Sequence, residues 1–300
     1  MRNVGIAIIT VLILFLAAPG SFADEKLPTL KAVGVTYSNV VVFKVSATDI
    51  YFTSNKGLAN VKLKDLDSAM QKHFNFNPTN AAAVESDRVE ADAQYRRALT
   101  KDGMSSRPEG GRPTTLAAKP GVDVFLIPLD DFEAELAAAL ANSLSQELGI
   151  RIAVTGRLTF KGLAPFAGTT QYSGDDILAA AEDGVQRLPG SLTNTAYIVL
   201  TQRDINMNDR KLRFNFAIHH YDTRTSLVSS ARMSGPRNGK AANLEIITAR
   251  FKKMVKRSIG LVYYHYPHSS DIYDLMFAPI MSLDDVDRIG DDFSNRPHGA

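Results

Sequence analysis

The sequence predicts an α+β protein: a small β-rich module, a linker, and a larger domain in which a mixed sheet carries helices. Three observations predict it. Short β-branched and aromatic runs separated by turn residues fill the first part, VTYSNVVVFKVSATDIYFTSNKGLANVKLKDL. A stretch rich in Gly, Pro, Ser and Thr, with no apolar period, covers 100–121. Beyond it a strand, a leucine-striped helix and a second strand follow one another over short connections, as a parallel βαβ unit requires. The 300 residues, 45% hydrophobic and 22% charged, suffice for one sizeable core and a smaller module.

Residues 1–23 carry Arg2, an uncharged apolar run from Val4 to Ala18, and the small-x-small ending Ser21-Phe22-Ala23. This pattern predicts a cleaved export signal, since the run is short of the ~20 residues that span a bilayer. The expected location is periplasmic or extracellular, with no membrane contact after cleavage. In the 27–99 module, strands are expected at Asn39–Val45, Ile50–Ser54 and Leu58–Leu63. Asp65 or Asp67 should cap a short helix through about His73, and Pro78 with Thr79 or Asn80 starts a longer helix to about Leu99. The module resembles a β-meander found near the N-terminus of many exported bacterial proteins. His73, between aromatic neighbours and with no second ligand nearby, reads as a packing or surface residue.

The larger domain is expected over 122–293. Its first strand is VDVFLI from Val122 to Ile127, ended by Pro128. Asp130 or Asp131 should then cap a helix with Leu136, Leu140, Leu144 and Leu148 on one face and Gly149 at its C-terminal stop. Ile150–Val154 follows as a strand, and Ser173–Leu188 as a helix capped by Ser173 with Asp176 three residues on. Ala196–Leu200 is a third buried strand. Arg213–His219 and Leu227–Ala231 alternate as a hairpin before the last long helix.

In order, FLIPLDDF, the leucine helix, QYSGDDIL, IVLTQRDI, FNFAIHHYDTRTSLVSSARM and the stretch 246–287 resemble an archaemetzincin, a zinc metallopeptidase of the metzincin type. The resemblance spans about 170 residues and implies a metzincin-like mixed sheet. It also implies a motif HExxHxxGxxHC, a Met-turn, and a second zinc held by cysteines. Aligned without gaps, KKMVKRSIGLVYYHYP puts Lys256 and Arg257 at the His-Glu pair, Gly260 at the second His, Tyr263 at the Gly, and Tyr266 with Pro267 at the closing His-Cys. Met276 matches the Met-turn, and Ser282 to Asp287 the segment after it. The scaffold positions are kept and the chemical ones are replaced.

The composition agrees with that loss. There is no Cys, which excludes disulfides, thiolate metal sites and a Cys nucleophile. The His residues stand at 73, 219, 220, 265, 268 and 298, so no pair has the i, i+4 spacing that lets one helix face grip a zinc. His219 and His220, adjacent on a strand, should face opposite ways. His265 and His268, with Asp271 and Asp274, could form a loop site, His-x-x-His-x-x-Asp, that would be the basis for zinc in an alternative reading, a peptidase with relocated ligands around His265, His268 and Asp271. Otherwise no cofactor is expected. Lys256 and Arg257, with Arg250, Lys252 and Lys253 nearby, would suit an anionic group or a peptide C-terminus in a retained cleft; a basic solvated helix side is the plainer alternative. Without the signal the chain has 33 basic against 32 acidic residues, which gives no electrostatic case for nucleic acid. The expected function is binding of a peptide or protein by a catalytically inactive archaemetzincin-like domain.

Overall fold

A computed structural model describes residues 25–87, 90, 121–160, 162–185, 188–237 and 242–293. The expected signal segment, all of the expected linker but Gly121, and most of the distal half of the helix expected to reach Leu99 lie outside these residues.

The N-terminal module is a four-stranded antiparallel meander, β1 (Glu25–Ala32), β2 (Val35–Val45), β3 (Asp49–Ser54) and β4 (Gly57–Lys62). One more strand is present than the sequence predicts, and β2 begins four residues earlier than expected. The added hairpin turns at Val33-Gly34, with φ of 49° and 76°. A two-residue turn of this hand needs positive φ at both positions. Gly34 advertises it, but Val33 is a residue that rarely adopts it, which hid the turn from the pattern. Leu30, Val40, Val42, Ile50, Phe52 and Leu63 form the module's core. Asp67, not Asp65, caps the helix α1 (Ser68–His73), accepting from Met70 N at 2.9 Å. Asn77 receives Thr79 N and Asn80 N at the start of a second helix, α2, over 78–87.

The larger unit is built on a five-stranded sheet in the order β10-β11-β8-β5-β6. The strands are β5 (Val122–Pro128), β6 (Ile152–Val154), β8 (Ser191–Thr201), β10 (Ala217–His220) and β11 (Thr225–Ser229). All neighbours are parallel except β10, which pairs antiparallel with β11 and forms one edge. Period-two alternation divides the sheet between two cores. Val124, Leu126, Ala196, Ile198 and Leu200 face the helices α3 (Ala134–Leu148) and α5 (Leu244–Val262). Phe125, Ile127, Tyr197 and Val199 face α4 (Gly174–Val185). A sheet covered on both faces explains why VDVFLI and YIVL read as unbroken apolar runs.

Two expectations are corrected here. Neither Asp130 nor Asp131 caps α3, whose N-cap is Glu133 with no side-chain bond. Asp131 instead accepts from Thr201 Oγ1 at 2.8 Å, Gln202 N at 2.9 Å and Arg203 Nη1 at 3.1 Å, tying the end of β5 to the end of β8. Sequence alone gave the Asp a local partner because the distant strand end was invisible. The hairpin strands are also shorter and shifted, and a parallel pair, β7 (Gln171–Ser173) with β9 (Asp204–Asn206), was not foreseen. Gly149 does stop α3 in the left-handed conformation, φ 68°, and Ser173 Oγ accepts from Asp176 N at 3.0 Å.

Asn243 caps α5 through Ile246 N at 2.9 Å. From Met254 to Val262 every residue of this helix is buried. The sheet lies on one side, and the chain from Tyr263 to Phe293, including α6 (Leu283–Arg288), closes the other. Cations in that half must therefore find partners inside the protein. Among the described residues, no helix is long and apolar enough to cross a membrane.

The two units meet through polar groups. Arg213 forms an ion pair with Asp49, which is 4% exposed, and donates its backbone N–H to Asn60 Oδ1 at 2.6 Å. Lys44 pairs with Asp285 at 3.0 Å and bonds Ser282, the N-cap of α6.

Candidate functional site

A cavity of about 510 Å³ opens where α5, the edge strand β10 and the N-terminal module come together. Met254 and Arg257 of α5 form one side. Phe214, Phe216, Ala217, His219 and Tyr221 line the β10 side, Asn60 of β4 closes one end, and His268 and residues 278–281 complete the wall.

Arg257 is 6% exposed. Its Nη2 donates to the Phe277 carbonyl at 3.0 Å, while Nε is buried without a partner. Among the described residues it has no ion pair within 4.0 Å. Burial pushes its pKa down to about 10, against the opposing pull of Tyr221 and Asp274, so it stays charged near neutral pH. Opposite it, His219 Nδ1 lies 2.8 Å from Ser226 Oγ. Burial, then the charge of Arg257 and the neighbouring His268 and His220, push His219 down to about 3. His268 is also lowered, by burial and then by Arg257. The cavity thus holds one fixed cation and two imidazoles driven toward their neutral forms.

The other residues singled out in the sequence lie elsewhere. Lys256 is 2% exposed and points away from the cavity, where its ammonium meets Glu147, Asp292 Oδ1 at 2.6 Å and the Asp291 carbonyl at 2.5 Å. Arg250 is held by Asp287 in a forked pair of 2.7 and 2.6 Å bonds and by two carbonyls. Lys252 pairs with Glu147 at 2.8 Å, and Lys253 with Asp291 at 3.2 Å. The expectation that these residues add to a cleft charge is therefore corrected: helical spacing puts 250 and 257 near one face, but the folded-back tail supplies acids to Arg250, Lys253 and Lys256, Glu147 of α3 supplies one to Lys252, and among the described residues Arg257 is left without an ion pair.

Gly260 faces the interior. A Cβ there would sit 2.7 Å from Phe293 and 2.8 Å from the Met276 sulfur. Met276 is accordingly core, 2% exposed, and forms no part of the cavity wall. Tyr266 donates its backbone N–H to Gly260 O at 2.9 Å and stacks on Tyr264, ring centres 5.0 Å apart. It packs the end of α5. The gap-free register thus assigns ligand roles to Lys256 and Gly260, two side-chain positions that look away from the cavity.

His265 is exposed at φ 55°, and Asp271 is used locally, accepting from Tyr273 N at 2.9 Å. Of His265, His268 and Asp271, only His268 reaches the cavity. Among the described residues no three His, Cys, Asp or Glu side chains are grouped to hold a metal. Zinc, which the resemblance implies, does not fit the residues present: a catalytic site needs three protein ligands, and here a guanidinium shares the cavity with two imidazoles. His220 points to the other face, 2.8 Å from Glu182 of α4, as strand alternation requires. The sequence reading overlooked His219 and Asn60 as cavity residues. Adjacent His on an edge strand was a usable signal for the first; nothing local marked the second.

No family model matches the chain, and no curated relative matches it. Similar solved structures are a zinc-dependent peptidase from Methanocorpusculum labreanum, at 18% identity and TM-score 0.48, and the archaemetzincins of Archaeoglobus fulgidus, at 22% and 0.45, and Methanopyrus kandleri, at 20% and 0.45. They cover 58%, 57% and 59% of this chain and 96%, 95% and 91% of their own.

Proposed function

We propose that this chain is an exported, non-catalytic protein of archaemetzincin type that binds a peptide or protein segment in the cavity beside β10. The observation that carries the reading is Arg257. A protonated guanidinium can neither coordinate a cation nor take a proton from water, so the side chain that α5 presents to the cavity cannot do the work of a ligand or a general base. His219, held at about 3, is too weak a base to replace it near neutral pH. Binding is supported by the size of the cavity, within the roughly 300–1,000 Å³ of ligand sites. It is also supported by the place of β10 at the sheet edge, where an extended segment can add as a strand.

The test uses the purified protein with a fluorogenic peptide library, with and without added zinc, beside a direct binding assay on the same library. Saturable binding without cleavage is expected. Zinc-dependent turnover that disappears in His265→Ala and His268→Ala would establish the relocated-ligand peptidase instead. Export is tested separately by the N-terminal sequence of the secreted chain, expected to begin at Asp24.

A further inference from the structure

Three cations on α5 are buried among the described residues, and they are treated unequally. Arg250 has the Asp287 carboxylate, and Lys256 has Glu147 and Asp292. Arg257, 6% exposed, has only the neutral Phe277 carbonyl as a hydrogen-bond partner, a buried Nε–H that reaches nothing, and no carboxylate within 4.0 Å among the described residues; the buried Asp274 acts on it only from beyond that distance. An isolated buried charge is costly unless something pairs with it, and an unpaired N–H beside it adds to the cost. Of the cavity groups facing it, His219 and His268 are disposed to be neutral and Tyr221 is a phenol, so none supplies a negative charge near neutral pH. The remaining wall is largely apolar, with Phe214, Phe216 and Met254 prominent.

Resting on the binding reading above, we infer that the cavity is a carboxylate site. The terminal guanidinium nitrogens of Arg257, of which Nη2 gives one hydrogen to Phe277 O and Nη1 is not among the buried unpartnered atoms, make a forked pair to the two carboxylate oxygens, and an apolar or aromatic group next to that carboxylate lies against Phe214, Phe216 and Met254. The fork matches the planar geometry of a carboxylate, and the ligand then supplies what Asp287 supplies to Arg250. Under the peptide reading, the carboxylate is the C-terminus of a chain ending in a large apolar residue; a small aryl- or alkyl-carboxylic acid presents the same chemistry.

Calorimetric titration separates these. Three probes are used: a short peptide ending in Phe with no acidic side chain, the same peptide as its C-terminal amide, and 3-phenylpropionate. The free acid is expected to bind about ten- to a hundredfold more tightly than the amide, the scale of a lost charge-assisted hydrogen bond. Arg257→Gln should erase that difference, and Arg257→Lys, which keeps the charge but not the fork, should recover part of it; melting curves establish that both variants are folded. If acid and amide bind the wild-type protein alike, the carboxylate site is refuted and peptide binding stands. If 3-phenylpropionate binds with Arg257 dependence and neither peptide does, the carboxylate site stands and the peptide reading falls. If no probe binds, both fall. The wild-type comparison decides the matter even if the variants fail to fold.

Discussion

Replacing Lys256 separates a cleft residue from a structural one. In the structure its ammonium is 2% exposed and touches two carboxylates and a carbonyl. Lys256→Ala removes both the charge and the buried stem. Breaking a buried pair by deleting one partner costs about 3–5 kcal/mol, and because Glu147 is partly exposed and Asp292 largely so, the expected value lies at the lower end, about 3, most of it from the buried lysine stem. For a unit of this size that is a melting-temperature drop of roughly 6–12 °C. Lys256→Met keeps most of the stem volume and should cost less, about 1–2 kcal/mol, since the acids left behind can reach water. Thermal and urea unfolding give the stabilities, and titration with the Phe-terminated peptide gives the affinity, which should be unchanged in any variant that stays folded. A Lys256→Ala protein of wild-type stability with weakened peptide binding would refute the reasoning, because it would place the ammonium in the cavity.

Four further expectations follow from the same geometry. Restoring the motif letters by Lys256→His, Arg257→Glu and Gly260→His should not create a zinc site, because position 256 faces Glu147 and position 260 faces Phe293 and Met276; stoichiometric zinc in the purified variant would reverse that. Gly260→Ala alone should destabilise by about 1–3 kcal/mol through overpacking, offset in part by the better helix propensity of Ala, as read by urea unfolding. His219 makes stability depend on pH: its folded pKa of about 3 lies below the unfolded 6.5, so the unfolded chain binds the extra proton between these values and stability falls as pH falls. The loss from this group should be about 2 kcal/mol between pH 7 and pH 5, and unfolding of His219→Gln at the two pH values should lack that component; equal losses would show that His219 is not held neutral. The seam between the units is tested by Asp49→Asn, expected to cost about 2–4 kcal/mol against under ~1 for Glu85→Ala in a more exposed pair; equal costs would mean the seam pair is not buried in solution.

The elements were legible where the signal is local. Leu140, Leu144 and Leu148 named the buried face of α3, Gly149 its end, Ser173 the cap of α4, and the VDVFLI and YIVL runs the central strands. Each depends on neighbours within a turn or on alternation along one strand. The failures share the opposite cause. Asp131 was given a helix to cap because its true partners, Thr201 to Arg203, are seventy and more residues away. Lys256 and Arg257 looked alike because adjacent cations carry no sign of which one will meet Glu147.

What the sequence determined by itself is the α+β order of elements, the absence of any His pair at i, i+4, and the cationic character of α5, since these follow from residue type and spacing. What only the tertiary structure decided is which cation matters. The chain from 263 to 293 folds back over α5 and delivers Asp287, Asp291 and Asp292 into ion pairs with three of its basic residues, while among the described residues Arg257, beside β10 and Asn60, is left without an ion pair and feels Asp274 only at longer range. The physical reason is that helix periodicity fixes the direction of a side chain, but its electrostatic partner is set by contacts between distant segments.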